Sequence, residues 1–190
     1  VDAVADAQEV LFRLEVDVGR VLPDRVGEQC RYQAHHRLAV QHQTIVVEHL
    51  AQLVRPLHAM VRAAQAEGLP ITADVDVHHL HLCDADIGWF NPHANLMPPL
   101  RSATDRDALR AGVADGTIDA ICSDHAPVDD DGKQVPFGEA EPGATALELL
   151  LPLTLKWAAE ARIAMPRALA AVTTAPAAII GLPPPTLARG

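Results

Sequence analysis

At 190 residues the chain is long enough for one domain with a real core, yet short for a complete (β/α)8 barrel of roughly 250. A formal net charge of −10 and a pI near 5.3 exclude the basic footprint that nucleic acid or an anionic membrane surface selects, leaving a small molecule or another protein as partner. Three cysteines, Cys30, Cys83 and Cys122, without CxxC spacing, exclude a disulfide framework and a zinc knuckle and fit a reduced, cytoplasmic setting.

Residues 10–18 alternate, with Phe12, Leu14, Val16 and Val18 on one side and Arg13, Glu15 and Asp17 on the other, the period of a half-exposed strand. His35, His36, His42 and His49 follow in a Gln-, Arg- and Val-rich stretch. They form no HxH or HExxH pair and read as solvated or structural. From about Thr44 to Glu67 apolar residues recur at helical spacing, which predicts a helix kinked or split at Pro56 and stopped by Gly68 and Pro70. Ile71–Val77 then alternates as a strand toward His78-His79, with His81 two residues on. These histidines invite a metal reading. In an extended chain, however, residues 78 and 79 point to opposite faces, so at most one shares a side with His81, and the structural reading is preferred.

A polar loop from Asp84 to Asn95 carries Trp89 and Phe90 as lid or packing residues. Pro98 and Pro99 hold Leu96–Ser102 extended, and Ser102 or Thr104 is placed to cap a helix over Asp105–Asp115 that Gly116 ends. The apolar run Ile118–Ser123 stops abruptly at Asp124-His125-Ala126-Pro127. In parallel α/β architectures strand C-termini face the site, so Asp124 is a candidate for metal ligation or proton transfer; it can equally cap the turn after the strand. Val128 to Gly143 is a long acidic loop, the length of a lid or substrate loop. A Leu-rich helix over Gly143–Arg162 with Pro152 inside it, and shorter helices at Met165–Val172 and Ala175–Gly181, complete the chain. The apolar segments are interrupted by Glu148, Pro152, Lys156 and Pro166, and no basic start precedes an apolar run, so neither a membrane span nor a signal peptide is expected. Alternation of strands and helices predicts an α/β fold with a parallel sheet.

The runs GLPITADVDVHHLHLCDADIG, MPPLRS, DRDALRAGVADGTIDAICSDHAP and EPGATALELLLPL, in this order and spacing, resemble the dihydroorotases of the cyclic amidohydrolase superfamily, which are zinc-dependent (β/α)8 barrels. The resemblance covers residues from about Val61 to the C-terminus. It implies that Asp124 is a metal ligand and the general acid/base, that Pro142 and Gly143 meet the substrate ring through their backbone, and that the substrate is dihydroorotate. Strands 71–77 and 117–123 are then expected to lie parallel, with His79 and Asp124 near one rim. The implied unit is the C-terminal portion of an incomplete metal-dependent hydrolase barrel over residues 58–190, preceded by an unassigned segment, residues 1–57, that matches no part of the family. The loss of resemblance there is abrupt, as a reading-frame error or a truncated gene would make it.

The departures from the family are specific. Met97 stands where the family has a substrate-binding Asn, and Val128 where it has a substrate-loop His. The metal-binding HxH, the carboxylated Lys or bridging Asp and the next His are not found, and the last His ligand falls near Ala51, which leaves Asp124 as the one family ligand. Two readings follow. In one the chain is a fragmentary cyclic amidohydrolase of pyrimidine biosynthesis, opening dihydroorotate reversibly to carbamoyl aspartate with zinc. In the other it is a metal-free dihydroorotase-like structural subunit that partners aspartate carbamoyltransferase.

Overall fold

The structure is a computed structural model that describes residues 45–47, 54–69 and 71–183. The strand expected over residues 10–18 and the four upstream histidines lie outside the described residues. Three strands form one parallel sheet in the order β1 (Ile45–Val47), β2 (Ile71–Asp76), β3 (Ala120–Cys122). Helix α1 (Val54–Ala66) leads from β1 to β2, and α2 (Ala103–Asp115) precedes β3. Helices α3 (Leu150–Ala161), α4 (Met165–Val172) and α5 (Thr174–Ile179) follow. The class is therefore α/β with a parallel but incomplete sheet. No helix among the described residues is long and apolar enough to cross a membrane.

Local signals explain most boundaries. Ser102 accepts a hydrogen bond from the Asp105 N–H and caps α2, and Gly116 ends that helix in the left-handed region at φ 89°. Helix α4 has the bounds its spacing predicts. Two expectations are corrected by the same rule. The helix expected over Thr44–Glu67 is a strand followed by α1, because β-branched Ile45, Val46 and Val47 pair with Ile71, Thr72 and Ala73. Pro56 is then the third residue of α1 and splits nothing. Pro152 is likewise the third residue of α3, which begins at Leu150 rather than Gly143. In the first turn of a helix no backbone N–H is needed by an earlier carbonyl, so proline is accepted there.

Along β2, Ile71, Ala73 and Val75 are buried while Thr72, Asp74 and Asp76 are only partly so. The apolar face packs under the helices in a core that includes Val61, Val113, Ile121 and Trp157. Fully burying each such side chain contributes roughly 1.5–3 kcal/mol. The polar face carries two carboxylates toward the end of the strand.

That end comes one residue earlier than alternation predicts. Residues Val77–Leu80 wind into a 3-10 turn. Side chains three apart eclipse in such a turn, so Val77 and Leu80, both 0% exposed, enter the core together. His78 and His79 are carried to the sheet's carboxyl edge.

Candidate functional site at the carboxyl edge of the sheet

Strands β2 and β3 end in register, Asp76 opposite Cys122, so the residues just beyond them meet. From β2 come Asp76, His78 and His79, and from β3 come Cys122 and Asp124. Asp124 holds φ 44°, a left-handed conformation uncommon for a residue with a Cβ and tolerated best by Asp and Asn. Its Oδ2 lies 3.5 Å from His78 Nε2. Strained backbone of this kind at a strand end is a feature of functional sites, and it turns the carboxylate back toward the edge.

The two histidines are 6% and 3% exposed. Their rings lie 5.2 Å apart, tilted by 47°. His79 Nε2–H donates to the Pro98 carbonyl at 3.2 Å, a tautomer assigned from the acceptor, since a carbonyl can only accept. Its Nδ1 then faces Asp76 Oδ2 at 3.3 Å without a hydrogen bond. Both ring nitrogens of His78 are buried with no hydrogen-bond partner. Burial, reinforced by the neighbouring His79, lowers the His78 pKa against the pull of Asp76 and Asp124, which keeps that ring neutral. On Asp76 burial pushes the pKa upward, but His79 and Cys122 beside it outweigh this and hold the carboxyl below its ordinary value. The Cys122 Sγ–H donates to Asp76 Oδ1 at 3.1 Å. Burial first, then Asp76 and Asp74, push that thiol far up, so Cys122 acts as a donor and not as a thiolate.

The 3-10 turn overturns the expected separation of His78 from His79. Both rings reach the same edge, and the histidine that leaves it is His81, whose Nε2–H donates to the Leu153 carbonyl at 2.9 Å. The expected parallel pairing of β2 and β3 is present, His79 reaches the same edge as Asp124, and the ring between them is that of His78. Asp76 and Cys122 were not singled out from sequence. The alternation of Ile71–Val77 places Asp76 last on the polar face, a signal that points to it.

Beyond β3, His125 Nδ1 accepts from the Ala146 and Leu147 N–H groups at 3.1 and 3.0 Å, pinning the start of the helical region to the strand end. The loop after residue 128 is tied down rather than free. Lys133, 7% exposed, donates to the carbonyls of Pro92, Asn95 and Glu141 at 3.2, 3.2 and 2.7 Å. Asn95 donates to the carbonyls of Phe137 and Ala140. Gly143 sits at φ 139° and gives its N–H to the Asn95 carbonyl, so what the Pro142-Gly143 backbone can offer a ligand is carbonyl oxygen. Val128 packs beside Gly132 and Gly143, and Met97 is half exposed. Trp89 is fully exposed, while Phe90 meets Phe137 edge to face.

Solved hydantoinases share this fold: the L-hydantoinase from Arthrobacter aurescens matches with a TM-score of 0.65 over 73% of this chain and 31% of that one at 24% identity. So does the crystal structure of dihydroorotase from Saccharomyces cerevisiae in complex with 5-fluoroorotic acid, with a TM-score of 0.63 over 73% of this chain and 38% of that one at 18% identity. Sequence narrows the class to the dihydroorotases and dihydroorotase-like proteins. The chain is 40% identical over 147 residues to the dihydroorotase-like protein of Pseudomonas putida, which is 77% of this chain and 35% of that protein. It is 40% identical over 131 residues to the dihydroorotase of Syntrophotalea carbinolica, 69% of this chain and 31% of that enzyme. The chain thus spans about a third of the length of these curated relatives. No family profile matches it.

Proposed function

We propose that residues 58–190 are the C-terminal portion of an incomplete (β/α)8 barrel of the dihydroorotase type, taking part in the reversible ring opening of dihydroorotate to carbamoyl aspartate. The observation that carries this reading is Asp124, bent by its positive φ onto the carboxyl edge of β3 beside a neutral, buried His78, in a stretch of 131 residues 40% identical to a dihydroorotase. Water adds across the ring amide, and the released nitrogen needs a proton. A carboxylate at the edge, 27% exposed, can take a proton from the attacking water and return it to the leaving nitrogen. His78 stands beside that carboxylate at 3.5 Å, and the Pro142-Gly143 backbone is the contact for the ring.

The zinc that this family carries does not fit the family's own ligand positions in this chain. Among the described residues Asp124 is the one such position, and a single carboxylate does not hold zinc, which takes three or four protein ligands.

A second reading is favoured by Met97 and Val128. The first presents a thioether where an amide is expected, and the second serves as aliphatic packing against Gly132 and Gly143 where an imidazole is expected. In that reading the chain is a dihydroorotase-like structural subunit of an assembly with aspartate carbamoyltransferase. One experiment separates the two. The chain is co-expressed with aspartate carbamoyltransferase from the same source, assayed for ring opening and run on size-exclusion chromatography. Turnover that disappears in Asp124→Asn supports the hydrolase; co-elution without turnover, unchanged in that variant, supports the subunit. A monomer with neither property refutes both.

A further inference from the structure

Six side-chain nitrogen or oxygen atoms among the described residues are buried without a hydrogen-bond partner, and three of them are ring nitrogens of His78 and His79. Buried polar atoms are nearly always paired, and leaving one unpaired costs about 1–3 kcal/mol. Three at one place mark a position where a bound group would supply the pairing.

The hydrogen bonds that are present say what it is. His79 is held from behind, its Nε2–H on the Pro98 carbonyl, so Nδ1 is turned toward the Asp76 carboxylate at 3.3 Å. Asp76 is itself held from behind by the Cys122 thiol on Oδ1, which leaves Oδ2 toward the histidines. His78 has Asp124 within 3.5 Å of Nε2, and Nδ1 is unpartnered. One ligand atom from each of Asp76, His78 and His79 lies within 4.8 Å of the other two. Imidazoles whose second nitrogen points at a carbonyl or carboxylate, converging with a carboxylate supported by its own donor, are the pattern of a transition-metal centre with its outer shell in place.

We propose that Asp76, His78 and His79 form a binding site for a divalent transition-metal ion of the zinc type, at a place distinct from the family's ligand positions. The donor set suits zinc with an open coordination position, and two imidazoles disfavour magnesium and calcium. A zinc ion about 2.1 Å from each donor asks the donors to stand about 3.4 Å apart, so the rings close on the ion by movements on the order of 1 Å. The site stands independently of ring opening and is read by binding.

The test uses the whole 190-residue chain, stripped with a chelator and titrated with zinc by calorimetry and with cobalt(II) by its visible spectrum. One ion per chain is expected, with tetrahedral-type cobalt bands and a raised melting temperature. His79→Ala, His78→Ala and the near-isosteric Asp76→Asn are each expected to weaken binding at least ~100-fold, more than the loss of an outer-shell group. Circular dichroism of each stripped variant, together with Asp76→Asn, keeps the result readable if an alanine variant unfolds. Absence of binding to the wild-type chain overturns the proposal. So does binding that survives these substitutions and vanishes when His35, His36, His42 and His49 are replaced, and so does magnesium competing at equal concentration.

Discussion

The two ends of the same sheet solve their polar chemistry in opposite ways. At the amino end of β3, Gln65 on α1 donates to the Ile71 and Thr117 carbonyls at 3.3 and 3.2 Å, while Asp119 accepts the Ala73 N–H at 2.9 Å and returns its own N–H to the Ala73 carbonyl at 2.8 Å. Arg62 binds Thr117 and pairs with Asp115. The Ile71 and Thr117 carbonyls, the Asp119 and Asp115 carboxylates and the Thr117 hydroxyl all have partners there, and the network welds α1, β2 and β3 together. At the carboxyl end Asp76, His78, His79 and Asp124 are as close to one another, yet three ring nitrogens go without. A satisfied network is what stability selects, whereas an unsatisfied buried one persists where something else is bound.

Backbone positions sharpen the contrast most. At Gly143, beside the carboxyl end, an added Cβ would lie 2.5 Å from the Ala126 carbonyl oxygen, and φ is 139°. Gly143→Ala is expected to cost about 3 kcal/mol, because the obstacle is backbone and cannot swing away. Gly68, on the amino-end side, also has positive φ at 80° but nothing within 4 Å, so Gly68→Ala is expected to cost ~1 kcal/mol from conformation alone. Urea midpoints of the two variants check this, and equal losses would break the distinction.

Side-chain replacement comes next and changes sign between the ends. Gln65→Leu strands two carbonyls and is expected to lower stability by about 2 kcal/mol. His78→Leu removes two buried, unpartnered nitrogens and is expected to raise the stability of chelator-treated protein by about 1 kcal/mol. If both variants are destabilised alike in chelator, the carboxyl edge is a satisfied network after all.

The smallest expected effect is a pH dependence at the amino end. Burial raises the Asp119 carboxyl above its ordinary 3.8, against a smaller downward pull from the Ala73 N–H. A folded-state pKa above the unfolded one means the folded chain holds the extra proton. Asp119 therefore disfavours folding fully above the raised value, and stability recovers as pH falls from that value toward 3.8. Asp119→Asn keeps an acceptor for Ala73 and should remove this component, so the difference between wild type and variant narrows on acidification across that window. A difference that widens instead contradicts the direction of the shift.

Much of the architecture was legible because it is written in short-range chemistry. Ser102 and Gly116 bracket α2 through a hydroxyl cap and a left-handed glycine, and α4 is bounded by its own spacing. The apolar run ending at Asp124 announced the strand β3. The split of Thr44–Glu67 was not legible, since Ile45-Val46-Val47 fits either period and only pairing with Ile71, Thr72 and Ala73 chooses the strand.

The sequence by itself determined which chemistry reaches the carboxyl edge: a carboxylate closing each strand region, two adjacent histidines, a thiol, and the motif order shared with dihydroorotases. Tertiary structure alone decided how these groups face one another. Alternation continued past Asp76 separates His78 from His79, and it fails because Val77 and Leu80 must both enter the core, 0% exposed, which an extended strand cannot do for residues three apart. The chain winds into a 3-10 turn to bury that pair, and the same winding turns both histidines toward Asp76 and Asp124.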